Sequence, residues 1–518
     1  MPLQSRRVDD GRHRVALIGL DGASLPFIEA HLDALPNLRR ALSDGTLHPL
    51  AQRTDSLSGA MWPNFFTGDH PGVHGYYHDI AWDARQMRVR RVTPAMVRIS
   101  PFWQRLDAAG HATIAVDVPH VWPAPLRHGA QIIAWNSHDH MTPFSAYPPA
   151  LKHAVRRRFG GRSIGYEVPV QRDAAEMERV RCQLVASAAR KAELCGWILR
   201  ERPWALFITV FGEMHRGGHL LWPHRLPHLA AVPEGALLDV YRAVDGAVGV
   251  LLEQLADATV LIYALNGMAE DASQDHICIP VMERLTALFL AQEGIAPGSS
   301  RAVRRDAIRL LRQHLPPRLQ QAIGQWSPTW VRDRVVSDSF GGLDWRRTPG
   351  FAVRSDVHTY VRYNLRGRES AGMLEPGSAQ HARYADWLSR GFRSLRDAAT
   401  GETIVRDVHF TRDIYPGPLQ HMLPDVVVGY RYLPPATRLH SDLLGTIDAP
   451  PTTGRTGNHL PEGFCIALNA PAALAEAGAL THGRDIAPLV LRMFGCGDAA
   501  AGADGGMSAG VRGLGVGG

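Results

Sequence analysis

The stretch RVALIGLDG, residues 14–22, is an uninterrupted run of apolar side chains closed by Asp21 and Gly22. Such a run reads as a strand buried on both faces, as in parallel sheets, with an acid at its C-terminal end. The amphipathic segment LPNLRRALSDG (35–45) follows and stops at Gly45, as a helix ended by glycine would. The alternation recurs in SPFWQRLDAAGHATIAVDVP (100–119), in WALFITVFGE (204–213) leading into a further helix, and in LLDVYRAVDGAVGVLLEQLADATVLIYALNG (237–267). Strand and helix in alternation predict a doubly wound, mostly parallel α/β sheet with helices on both faces. Ligands in such folds bind at the C-terminal ends of the strands. Asp21, residues 213–219 and residues 265–266 all fall there.

The division expected along the chain follows from shifts in pattern. Residues 1–13 form an N-terminal extension, 14–284 the first part of the α/β core, and 285–335 an inserted helical cap read from the Arg-rich SSRAVRRDAIRLLRQHLPPRLQQAIGQW (299–326). Strand patterning resumes in 336–497, the second part of the core, and 498–518 is a Gly-rich tail too poor in large apolar side chains to order itself. The bland reading of the cap, a solvated amphipathic pair, is preferred to a dedicated binding role.

Hydrophobic residues make up 45% and charged residues 20% of the 518, which places the chain among globular proteins. The formal charge is +6, but apart from Lys152 and Lys191 the basic residues are arginines scattered along the chain. No stripe of positive charge interleaved with aromatics emerges, so no nucleic-acid polymer is expected as a partner. A milder attraction for anionic substrates is. The five cysteines (Cys182, Cys195, Cys278, Cys465 and Cys496) are far apart and lack CxxC spacing, which reads as free thiols of a reducing compartment. The apolar run before Asp21 is too short for a signal sequence, and no segment has the apolar length of a membrane span. A cytoplasmic location and no membrane partner are therefore expected; the oligomeric state has no readable code.

FGEMHRGGHLLW (211–222) places His215 and His219 four apart, on one face of a helix, as a zinc site needs. Glu213 precedes His215 by two positions, so this is not the HExxH of a zinc protease. Alone the pair is a weak signal.

Its context is SLSGAMWPNFFTGDHPGVHG (56–75), TGNHLPEGF (456–464), DWRRTPGFAV (344–353) and YVRYNLRGRESAGML (360–374). With LIGLDG near the N-terminus, these segments resemble the alkaline phosphatase superfamily, in its type I phosphodiesterase and nucleotide pyrophosphatase branch. The resemblance runs from about residue 14 to 495. It implies two divalent metals, usually zinc, about 4 Å apart, a serine or threonine alkoxide attacking phosphorus, and a covalent phospho-enzyme intermediate. By position, Asp21 matches a ligand of the nucleophile-side metal and Ser58 the nucleophile. His219 and His459 match two ligands of the other metal.

Two departures follow. His215 stands where the family has aspartate, so that His215, His219 and His459 would form a three-histidine zinc site with an open fourth position. Leu265-Asn266-Gly267 stands where the family has Asp-His-Gly, and neither a leucine nor an amide replaces those ligands. Asp275 and His276 restore the pair of residue types further on, although a charged helix start with an incidental histidine is the preferred explanation. Trp62, Pro63, Thr67 and Gly68 are expected to shape the turn that presents Ser58, and helix amides beyond it to offer a phosphate contact. Arg362, Arg366 and Arg368 read as a charged strand edge before a substrate contact. His70, His74, His78, His138 and His140 are further histidines without an assigned role. A sulfatase is excluded because Ser58-Gly59-Ala60-Met61-Trp62 lacks the required proline and arginine, and a cofactor-independent mutase needs a fuller ligand set.

The expected function is a metal-dependent hydrolase of small-molecule phosphate esters, of phosphodiesterase or phosphatase type, with one or two zinc-like ions per chain. The alternative is a catalytically degenerate relative acting as a binding or regulatory scaffold.

Overall fold

The computed structural model describes residues 13–51, 57–137, 143–165, 167, 170–296, 343–353, 355, 357–451, 453–475 and 480–497, with isolated positions 315, 319 and 323. Most of the expected cap, the tail 498–518 and the N-terminal extension before residue 13 lie outside the described residues.

The strands that position the site are β1 (Val15–Leu20), β2 (Thr46–Ala51), β3 (Thr113–Val116), β4 (Ala130–Ile133), β5 (Ser145–Tyr147), β6 (Leu206–Phe211), β7 (Thr259–Ala264), β8 (Gly267–Glu270), β9 (Gly350–Val353), β10 (Thr359–Tyr363), β11 (Val405–Phe410), β12 (Val426–Tyr430), β13 (Gly457–Leu460) and β14 (Glu462–Leu468). The main helices are α1 (Pro36–Asp44), α2 (Met61–Thr67), α3 (Ala174–Glu201), α4 (Glu213–Leu221), α5 (Ala236–Gln254), α6 (Cys278–Gln292), α7 (Ala379–Arg393) and α8 (Ile486–Met493).

An eight-stranded sheet runs in the order β2-β14-β7-β1-β6-β3-β4-β5. Its five central strands are parallel, whereas β14 and β5 join antiparallel at the flanks. All six residues of β1 are buried. Ala16, Ile18 and Leu20 pack with Leu38 of α1, Leu184 of α3 and Val240 of α5, while Val15 and Leu17 pack with Phe65 of α2 and Val490 of α8. Alternate residues thus feed two cores, so an unbroken apolar run, rather than an alternating one, is what this strand requires. The doubly wound architecture read from the sequence is the one observed. A second, antiparallel sheet, β9-β10-β12-β11, packs with α6 and α7 through Leu285, Tyr384, Trp387 and Val428. Residues 285–292, read as the start of the cap, are the second half of α6.

The hairpin of β8 and β13 pairs Met268 with His459. It lies directly on α4: a Cβ added to Gly457 would stand 2.4 Å from the Gly218 carbonyl oxygen and 2.9 Å from that of Ala269. Backbone on two sides leaves no room for a side chain. Gly457→Val is expected to cost about 1–3 kcal/mol by overpacking, read as a lower urea midpoint, and to loosen the strand that carries His459.

Candidate metal centre

Helix α4 begins directly after β6 and is buried along its whole length. The four-residue spacing brings His215 and His219 to one face, with ring centroids 4.7 Å apart. His459 arrives from β13, about half the chain away, and its ring lies 4.8 Å from that of His215 and 4.7 Å from that of His219. The three rings form a nearly equilateral triangle. Asp21, at the end of β1 and 2% exposed, places Oδ2 3.1 Å from His215 Nδ1. Among the described residues, His215, His219 and His459 are the group whose ligand atoms are close enough to share an ion.

The surroundings of the imidazoles suit them to a metal. His219 Nδ1 lies 2.9 Å from the Gly457 carbonyl oxygen, to which it donates, leaving Nε2 as the nitrogen with a lone pair in the neutral ring. His459 Nδ1 is hydrogen-bonded to the Asn266 side-chain amide. The amide nitrogen faces the ring; with the amide turned by 180° its oxygen would accept from Nδ1 and His459 Nε2 would likewise be bare. The two Nε2 atoms are 3.2 Å apart; nitrogens bound to one tetrahedral zinc at about 2.0–2.1 Å lie about 3.3 Å from each other. Burial, then the neighbouring His219 and His215 rings and Arg455, hold the His459 pKa well below its ordinary value of 6.5, against the opposite pull of Asp21. His459 is therefore neutral at pH 7, the form that ligates.

Ser58 opens a short turn, Ser58–Ala60, that runs into α2. Gly59 is needed there, because a Cβ would meet the Tyr77 carbonyl oxygen at 2.4 Å. The Ser58 N–H donates to Tyr360 Oη at 3.1 Å, and the Ser58 and Tyr360 hydroxyls are 3.5 Å apart. One turn further on, the Trp62 indole N–H donates to Asp21 Oδ1 at 3.3 Å, tying the Ser58 turn to the edge that carries the histidines. Thr67 closes α2 by donating its hydroxyl to the Pro63 carbonyl at 2.7 Å, and Gly68 takes the left-handed conformation at φ 76°.

Leu265 is buried in the core beside Trp62 and Tyr263, and Asn266 is engaged with His459. Asp275 and His276 sit in the turn Asp275–Ile277, where His276 Nε2 donates to the Ala436 carbonyl at 2.8 Å. They are not grouped with the three histidines. Arg362 is buried, pairing with Glu369 at 2.7 Å and donating to the carbonyls of residues 421–423. Arg368 grips Asp425 through two contacts of 2.7 Å, and Arg366 is exposed. These arginines brace the second sheet. His74 donates from Nε2 to Asn64 Oδ1 at 2.8 Å, His78 lies 2.7 Å from Asp79, and His70 lies against Tyr415. His138 and His140 lie outside the described residues.

Sequence reading missed the buried charges behind α4. Lys191 Nζ stands 3.3 Å from Asp117 and 3.7 Å from Glu213, the first residue of α4, with all three side chains fully buried. Asp117, in the left-handed region at φ 54°, accepts the N–H groups of Trp135 and Asn136 at 2.7 and 2.8 Å. The scarcity of lysine in an arginine-rich chain was the available signal. Burial alone would lower the Lys191 pKa, but Glu213 and Asp117 outweigh it and leave it raised above 10.5. Its stabilisation is thus intact below pH 10.5 and lost only as pH rises through the higher folded value. Lys191→Met would strand two buried carboxylates, and a loss of about 3–5 kcal/mol in urea unfolding at pH 7 is expected.

The family model for type I phosphodiesterase / nucleotide pyrophosphatase matches residues 15–286. The chain belongs to that family. No curated protein matches it. Among solved structures it is similar to murine ectonucleotide pyrophosphatase / phosphodiesterase 5, an inactive form in complex with AMP, at 12% identity and a TM-score of 0.46, covering 93% of this chain and 95% of the other. Phosphonoacetate hydrolase from Sinorhizobium meliloti, in complex with phosphonoacetate, matches at 14% identity and a TM-score of 0.48, covering 93% and 96%. No helix among the described residues is long and apolar enough to cross a membrane.

Proposed function

We propose that the protein is a metal-dependent hydrolase of small phosphate esters, working with a single zinc-like ion held by His215, His219 and His459, with Asp21 orienting His215 and with Ser58 as nucleophile. The observation that carries this reading is the convergence of three imidazoles from two distant segments, with the His219 and His459 Nε2 atoms 3.2 Å apart. When bound, the ion would supply Lewis-acid polarisation of a phosphoryl oxygen. Ser58 Oγ would displace the ester oxygen from phosphorus, the alcohol leaving with the proton that Ser58 gives up, and water would then cleave the phosphoserine ester, restoring the Ser58 hydroxyl and releasing phosphate. Asp21 holds the site together from both sides, touching His215 and accepting from Trp62. The free cysteines support a cytoplasmic setting.

The scaffold reading is favoured by one observation, the burial of Leu265 where the family carries a ligand. Chelator-stripped protein separates the two. Hydrolysis of p-nitrophenyl phosphate or bis(p-nitrophenyl) phosphate should vanish on stripping and return with one zinc per chain. A protein inert towards both in every metal state would leave the scaffold.

A further inference from the structure

Glu213, the first residue of α4, turns its carboxylate to α3. Its Oε1 accepts from the Ser187 hydroxyl at 2.6 Å, and Oε2 stands 3.7 Å from Lys191 Nζ. Ser187 and Lys191 are four apart on α3, so both reach α4 from one helical face. Lys191 also donates to the Val210 carbonyl of β6 at 2.7 Å and meets Asp117 at 3.3 Å. Ser187 Oγ accepts from Asn136 Nδ2 at 3.0 Å, and the Asn136 backbone N–H donates to Asp117 Oδ2 at 2.8 Å. The five residues thus close a ring, each at most 1% exposed.

Glu213 precedes His215 and His219 by two and six positions. That is about 200° and 240° around a helix of 3.6 residues per turn, so it holds the opposite side of α4. Between the histidines, Gly217 and Gly218 offer no side chain to key the helix in place. A Cβ at Gly217 would stand 3.2 Å from Leu237, and one at Gly218 would collide with the Met268 sulfur. The N-cap is Gly212, which contributes no side-chain hydrogen bond either. Buried charges gain little stability over apolar side chains of the same size. What a clamped carboxylate does impose is the rotation of α4 about its axis, and with it the direction in which both imidazoles point.

We propose that Glu213 is a positioning residue for the metal centre, holding α4 from behind through Ser187 and Lys191 so that His215 and His219 converge on His459. The role rests on the three-histidine centre and does not depend on the hydrolase reading.

The test compares zinc affinity with the visible absorption of the cobalt(II)-loaded protein, which follows the geometry of the ligands. Glu213→Leu ends the Ser187 contact; zinc affinity is expected to fall about tenfold, and the cobalt spectrum to change at saturation. Glu213→Gln retains an oxygen that accepts from Ser187, and is expected to keep zinc affinity within about twofold and the parent's cobalt spectrum. Should the leucine variant fail to fold, Ser187→Ala removes the same contact from α3 and is expected to weaken zinc binding about threefold. A merely structural role would lower the urea midpoint of Glu213→Leu and leave the saturated cobalt spectrum unchanged. That result overturns the proposal, as do equal losses in the leucine and glutamine variants. A parent that takes up no cobalt removes the centre itself and the role with it, whereas one that takes up a full equivalent, with a spectrum indifferent to Glu213, removes the positioning role alone.

Discussion

On the proposed three-histidine centre, His219→Ala is expected to abolish metal binding. His219 is fully buried, its Nδ1 is anchored on the Gly457 carbonyl, and its ring touches both other histidines. No neighbouring side chain on α4 is placed to replace it, since Gly217 and Gly218 precede it and Leu220 follows. Spreading the binding energy of a zinc site over its ligands gives a loss of affinity of about 10²–10³-fold for one imidazole. A competition titration against a chromophoric chelator would read this directly. His276→Ala is the matched control: its imidazole donates to Ala436, so zinc affinity should not change. Equal affinities in the two variants would mean that the ion sits elsewhere.

On the proposed mechanism, Ser58→Ala is expected to lower kcat by about 10³-fold or more, because it removes the proposed nucleophile. The fold should be indifferent. Ser58 holds its turn through the backbone N–H donated to Tyr360, which alanine keeps, and Gly59 and Trp62 are untouched. Zinc content should likewise stay at the parent level, since Ser58 is outside the histidine group. Full activity in this variant would show that the nucleophile is another group or a water.

The residues show why part of the site was legible in the sequence. A strand buried on both faces must be apolar throughout, so RVALIGLDG announced β1 and put Asp21 at its mouth. Helical periodicity alone paired His215 with His219. His459 needed the family resemblance, because nothing local connects β13 to α4. The consequence of Asn266 was not legible either: its role depends on the hairpin that sets Met268 opposite His459, and only there does Asn266 become a hydrogen-bond partner of one of the three histidines. Asp21 was expected at the nucleophile-side metal, but the structure places it against His215. The arginines of the second sheet found their carboxylates as far as 57 residues away, beyond any local pattern. Lys191 was passed over for the same reason, since Asp117 and Glu213 meet it only once β3, β6 and α3 are assembled.

The metal content of the purified protein, per chain and after saturation with zinc and removal of the excess, bears most directly on a centre built from three histidines. One equivalent is expected, falling to none in His219→Ala. Two equivalents would contradict a single-ion centre by requiring ligands that Leu265 and Asn266 do not provide, and none in the parent protein would remove the metal from the mechanism.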